Sequence, residues 1–131
     1  MVDIQKVDFS CPNLFGKVVF NYLSNSGIYR IGNGDYVFDI HWSECCNDCI
    51  YCYRDGVKRI GYNADIDSIP LESPDISLFD FSSRTWKVYI DQIVILENVK
   101  GKLAAIKVKD IKCPLRGKGA SVTFEYMIYT N

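Results

Sequence analysis

Apolar and polar residues alternate with a period of two along much of this chain. Tyr36, Phe38, Ile40 and Trp42 take turns with Asp35, Val37, Asp39 and His41, and Val122, Phe124, Tyr126 and Ile128 with Ser121, Thr123, Glu125 and Met127. Successive side chains of a strand point to opposite faces, so each run predicts a strand with one buried face. Shorter stretches rich in Val, Ile, Tyr and Phe, at 17–23, 27–31, 50–54 and 57–62, predict further strands. Ser24-Asn25-Ser26-Gly27, Gly32-Asn33-Gly34, Asn47-Asp48 and Asp55-Gly56 separate them with residues that favour turns, as in an antiparallel meander. Residues 63–85 break the rhythm with Pro70, Pro74 and several Asp and Ser residues, and predict a long irregular connection.

A second β group follows from Trp86 to Ile128. Over 88–96, Val88, Ile90, Val94 and Leu96 share one face and Ile93 and Ile95 the other, which predicts one strand covered on both sides. Residues 102–113 offer a helical start at Leu103-Ala104-Ala105-Ile106. The alternation of Ile106-Lys107-Val108-Lys109, slipping by one residue at Asp110, instead predicts a strand with a β-bulge. The fold class expected is all-β: one domain over residues 1–131, of mostly antiparallel strands forming a meandering β-barrel or sandwich with little helix.

At 131 residues the chain is long enough to bury a sizeable core, and 48% hydrophobic residues exclude a disordered chain. No apolar run approaches the ~20 residues of a membrane helix. The first residues lack the basic start and apolar stretch of a signal peptide, so a cytoplasmic location is expected. The net charge of −1 conceals an asymmetry: acids dominate between 35 and 80, bases between 100 and 118. Lys107, Lys109, Lys112, Arg116 and Lys118 form the basic stretch and the candidate binding surface.

Four of the six cysteines, Cys45, Cys46, Cys49 and Cys52, crowd into one short run. Thiolates so placed are candidate ligands for zinc, with His41 a further donor, although zinc sites usually draw on two separated Cys-x-x-Cys pairs. Cys46-x-x-Cys49 also has the spacing of a redox pair, but the β-prone residues after it supply no helix N-terminus to lower a thiol pKa. The structural alternative is a hairpin turning at Asn47-Asp48. That register pairs Cys46 with Cys49, Cys45 with Ile50, Ser43 with Cys52 and Trp42 with Tyr53. Cys46 and Cys49 then lie on the Trp42 face and Cys45 and Cys52 on the other, and sulfurs divided in this way cannot gather around one ion.

Gly27-x-Tyr29-x-Ile31-Gly32-x-Gly34, Trp42-Ser43, Asp80-Phe81-Ser82-Ser83-Arg84 and Arg116-Gly117 resemble the motifs of a group of small bacterial β-domains with no established activity to carry over. The segment from Ile90 through Gly101 to Val108 looks like the curled meander of SH3-like barrels, which implies a fold and no function. Cys45-x-x-x-Cys49-x-x-Cys52 with Tyr51 and Tyr53 resembles the iron–sulfur loop of radical-SAM enzymes. The chain lacks that family's length and its alternating helices, so this likeness implies no shared chemistry.

His41 is the only histidine, which excludes multi-histidine metal sites within one chain. It falls on the Asp39 side of its strand near Arg54, with Cys52 the nearest thiol and no third group to orient the imidazole. Gly32-x-Gly34 and Gly117-x-Gly119 are too short for phosphate loops. The function expected is a non-enzymatic binding or accessory domain that contacts another macromolecule, most simply a protein, through its charge-asymmetric surfaces, with no cofactor and no membrane. The alternatives are a zinc- or iron–sulfur-binding protein using Cys45, Cys46, Cys49 and Cys52, and a weak nucleic-acid binder using the basic stretch.

Overall fold

The computed structural model describes residues 9–46, 48–113 and 119–130. These residues form two five-stranded sheets. The first has the order β1 (Ser10–Cys11), β3 (Ile28–Ile31), β4 (Phe38–Glu44), β5 (Cys49–Tyr53), β7 (Thr85–Tyr89). The second has the order β2 (Phe15–Phe20), β10 (Ser121–Tyr129), β9 (Leu103–Lys112), β8 (Ile93–Glu97), β6 (Arg59–Tyr62). Only β1 and β3 run parallel. The sheets pack as a sandwich and do not close into a barrel, so of the two expected architectures the open one is found. Among the described residues no helix is long and apolar enough to cross a membrane.

The alternating runs build the core. Tyr29, Ile31, Phe38, Ile40, Trp42, Ile50, Cys52 and Val88 project from the first sheet, and Phe20, Ile60, Leu96, Ile106, Val122, Phe124 and Tyr126 meet them from the second. Phe124 is the central wedge, its ring 5.8 Å from Tyr29 and 5.3 Å from Trp42. Each large side chain buried this fully contributes about 1.5–3 kcal/mol.

Residues 88–96 do not form one strand. The chain leaves the first sheet after Tyr89, turns through Asp91 at φ 75°, and enters the second sheet at Ile93. Val88 therefore belongs to a different sheet from Val94 and Leu96. The expected two-sided cover does apply to β8, where Ile93 to Leu96 are all buried. Its outer residues Ile93 and Ile95 pack with Ala105, Phe79 and Tyr129 beneath Ile66, Ile69 and Phe81. The irregular connection is thus a cover for the outer face of the second sheet. Gly61 makes the close approach possible, since a Cβ there would lie 2.6 Å from the Phe81 ring. Residues 103–112 form a strand, not a helix, and its pairing with β10 shifts between Thr123 and Phe124, opposite Asp110 and Val108.

Asn98 is a buried polar side chain at the turn after β8. Its amide nitrogen donates to the carbonyls of Asp35 (2.9 Å) and Val37 (3.0 Å), and its oxygen accepts from the N–H groups of Lys100 and Lys102. One side chain thus shapes its own turn and ties it to the approach of β4. Replacing Asn98 by Ala strands backbone groups at both ends of this link. The N98A variant is expected to lose about 3 kcal/mol of stability, measured by urea unfolding. A loss below about 1 kcal/mol would show that water replaces the amide.

Candidate three-cysteine site on an open sheet face

With the second sheet covered, the exposed broad surface is the outer face of the first. There Arg30, Asp39, His41, Ser43, Tyr51, Tyr53, Thr85 and Lys87 occupy the positions that alternate with the core residues. The observed β4–β5 register decides what else joins them. Trp42 pairs with Cys52, Ser43 with Tyr51, and Glu44 with Ile50.

This differs by one residue from the hairpin expected from Asn47-Asp48, of which Asn47 lies outside the described residues. A slip of one residue transfers every side chain of a strand to the other face. The physical reason lies in β5 itself. The expected register buries Tyr51 and Tyr53 and exposes Ile50 and Cys52. The observed one places Ile50 and Cys52 in the core and leaves the phenol groups where polar partners are available. The Tyr53 hydroxyl lies 2.7 Å from Ser43 Oγ on the outer face.

The expected division of sulfurs, two on each face, is accordingly incorrect. Cys45 and Cys49 both face outward and are joined by a disulfide, with Cα atoms 5.5 Å apart. Cys46 Sγ lies 2.8 Å from Cys49 Sγ, and the Cys46 thiol donates to Asp48 Oδ1 at 2.9 Å. The three sulfurs fall within 4.8 Å of one another. Main-chain bonds hold the loop: Cys46 N–H donates to the Cys49 carbonyl, and Ile90 N–H to the Asp48 carbonyl. Cys46 is exposed, Cys45 half-buried and Cys49 buried. The fourth cysteine is elsewhere. Cys52 lies in the core, where burial, aided by the charge of Asp55, pushes its thiol well above the usual range and keeps it protonated.

An unbonded, exposed thiol beside a disulfide is the arrangement for thiol–disulfide exchange. Cys46 sulfur can form a bond to Cys49 Sγ as the Cys45–Cys49 bond breaks. The electron pair then resides on Cys45 Sγ, which takes up a proton from solvent, while the Cys46 thiol gives up its own. Reduced, the same three sulfurs offer thiolate ligands to a soft ion and leave a fourth position open.

His41 sits directly opposite Tyr53 and stacks near its ring, with centroids 4.8 Å apart. Its Nδ1 lies 2.8 and 2.9 Å from the two carboxylate oxygens of Asp55. A group that orients the imidazole therefore exists, contrary to expectation. The expected neighbour Cys52 does not, because it occupies the opposite face. Gly56 allows the Arg54–Gly56 turn to lie against β4: a Cβ there would meet the Asp39 carbonyl at 2.3 Å. Beside this turn a cleft of about 400 Å³ is lined by Tyr53, Arg54, Asp55, Arg84 and Thr85. Nothing in the sequence brings Arg84 near Arg54, because the covering segment separates them; the β5–β7 pairing does so.

Part of the basic stretch lies close to acids. Lys107 lies across from Glu125 in the β9–β10 ladder, Lys109 is 3.8 Å from Asp91, and Lys112 is 3.6 Å from Asp110. Arg116 and Lys118 lie outside the described residues. Comparison with protein-family models, curated proteins and solved structures finds no match to this chain.

The different surroundings of the thiols have a direct chemical consequence. Brief treatment of the folded protein with iodoacetamide, followed by peptide mass spectrometry, is expected to label Cys46 and to leave Cys52 and Cys113 unlabelled until urea is added. Labelling of Cys52 as fast as Cys46 would contradict the observed register.

Proposed function

We propose that this chain is a thiol–disulfide exchange domain whose reacting group is the Cys45–Cys49 bridge with Cys46 beside it. The observation that carries the reading is the exposed Cys46 sulfur 2.8 Å from a sulfur that is already oxidised. The expected contact with another protein is kept in this proposal, while the non-enzymatic role expected from the sequence gives way to exchange chemistry. A partner dithiol attacks the more accessible Cys45 sulfur and forms a mixed disulfide, with Cys49 leaving as thiolate. The partner's second thiol then attacks its own sulfur and releases Cys45. The partner loses two electrons and two protons and ends as a disulfide; Cys45 and Cys49 gain both and end as thiols.

Cys46 is the internal competitor in this scheme. It can capture Cys49 and turn Cys45 into the free thiol, so the bridge has two interchangeable forms. The basic stretch remains a separate candidate docking surface, with Lys107 across from Glu125 in the ladder and Lys109 and Lys112 close to Asp91 and Asp110.

A second reading is favoured by the convergence of the three sulfurs within 4.8 Å: the reduced cluster holds zinc through Cys45, Cys46 and Cys49. In that case Cys52, placed among the zinc or iron–sulfur candidates by sequence, takes no part.

Alkylation of denatured protein and mass measurement separate these readings, using protein first equilibrated in an oxidising glutathione buffer. The C45S variant is expected to show two fewer free thiols than its cysteine count, because Cys46 takes over the bridge to Cys49, whereas C49S shows no deficit. A C45S protein with every cysteine free would overturn the exchange scheme. Reduced wild-type protein that takes zinc from a chromophoric chelator, with C45S and C46S failing and C52S unchanged, would establish the second reading.

A further inference from the structure

The cleft between the Arg54–Gly56 turn and the start of β7 lies on the same open face and plays no part in the sulfur chemistry. We infer that it is a binding site for a phosphate-bearing small molecule, held by Arg54 and Arg84.

The backbone brings the two arginines together. Arg54 N–H donates to the Arg84 carbonyl at 2.8 Å, so the end of β5 and the residue before β7 are joined at the cleft rim. Several other basic side chains have carboxylate partners. Arg30 is paired with Asp39, Arg59 with Glu97, Lys100 with Asp35 and Lys109 with Asp91. Among the described residues, Arg54 and Arg84 are the arginines without a carboxylate partner, and they line one cleft. The acid in that lining, Asp55, is engaged by His41 on the sheet face. The cleft therefore brings together two arginines that lack an ion-pair partner among the described residues, with Asp55 bonded to His41.

Phosphate fits better than carboxylate. Each guanidinium presents a planar fork of donors that takes two oxygens at once. A carboxylate has two oxygens and satisfies one fork, whereas a phosphate monoester has three terminal oxygens and up to two negative charges, enough for both when the forks share one oxygen. Thr85 adds a hydroxyl to the lining. The volume of about 400 Å³ exceeds what inorganic phosphate fills and lies in the range of small-ligand sites. The bound molecule therefore carries an organic part, against which the Tyr53 side chain forms a wall.

The test is a titration of the full chain by calorimetry or amide NMR with O-phosphoserine, inorganic phosphate and acetate in turn. Saturable binding of O-phosphoserine is expected, with inorganic phosphate weaker and acetate weakest. R54Q and R84Q are each expected to weaken O-phosphoserine binding by about tenfold, and the double variant to abolish it. K17Q, on β2 of the other sheet, is expected to bind like the parent. Should R84Q fail to fold, R84K keeps the charge, loses the fork and is expected to weaken binding as well. No saturable O-phosphoserine binding up to about 10 mM, equal affinity for acetate, or full binding by the double variant would each overturn the assignment.

Discussion

The structure depends on the pairing of β4 with β5, which sets Trp42 beside Cys52. Trp42 is the largest fully buried side chain, and it packs against Phe124 from the opposite sheet. The strand that lies beside it must also present apolar atoms to the core, and β5 can do so in one register only. Ile50 and Cys52 have no oxygen to satisfy, whereas Tyr51 and Tyr53 do. Once these two face inward, Cys49, Tyr51 and Tyr53 must face outward, and Cys45, the residue after β4, comes beside Cys49. The sulfur cluster is thus a consequence of how the core is filled.

The two outer faces of the sandwich have different fates. On the second sheet, Ile93, Ile95, Ala105 and Tyr129 would be exposed apolar surface, and residues between 63 and 81 fold back to bury them. The Tyr129 hydroxyl donates to the Pro70 carbonyl and fixes that cover in place. The first sheet has no such need, because its outer positions are filled by hydroxyl, imidazole and charged groups. It therefore stays accessible, with the sulfurs at one end of β5 and the arginine cleft at the other. Cys49 and Tyr53 are four residues apart on one strand, which is about 13 Å. Two sites on so short a path are close enough for one ligand or partner to touch both.

The strands were legible in the sequence because alternation is a local property, and the run from Phe38 to Trp42 needs no distant information. The bulge near Asp110 was legible for the same reason. The break at Asp91 was not: Val88 to Leu96 alternates without interruption, and only the crossing from one sheet to the other interrupts it. Nor was Asn98 recognisable as more than a turn residue, since its value lies in carbonyls some sixty positions away. The cysteine cluster failed for a subtler reason. Both faces of β5 carry large, partly apolar side chains, so periodicity alone does not choose between two registers one residue apart. The decision rests on where a phenol finds a partner, and Ser43 supplies one for Tyr53.

Charge gives the sharpest contrast between a linear and a folded reading. Along the chain, acids gather before residue 80 and bases after residue 100, as though the molecule had two opposite sides. Folding offsets part of that separation. Lys100 approaches Asp35 at 3.9 Å, Lys109 approaches Asp91, and Lys107 takes its place across from Glu125. Such exposed pairs contribute little stability individually, typically about 0–1 kcal/mol. Their effect is on recognition: a cation with a nearby anion attracts a distant ligand less than a cation without one. Arg54 and Arg84 have no ion-pair partner among the described residues, and they line a concave place together with Tyr53, Asp55 and Thr85. The inferred anion site thus falls at the edge of the chain's most acidic stretch.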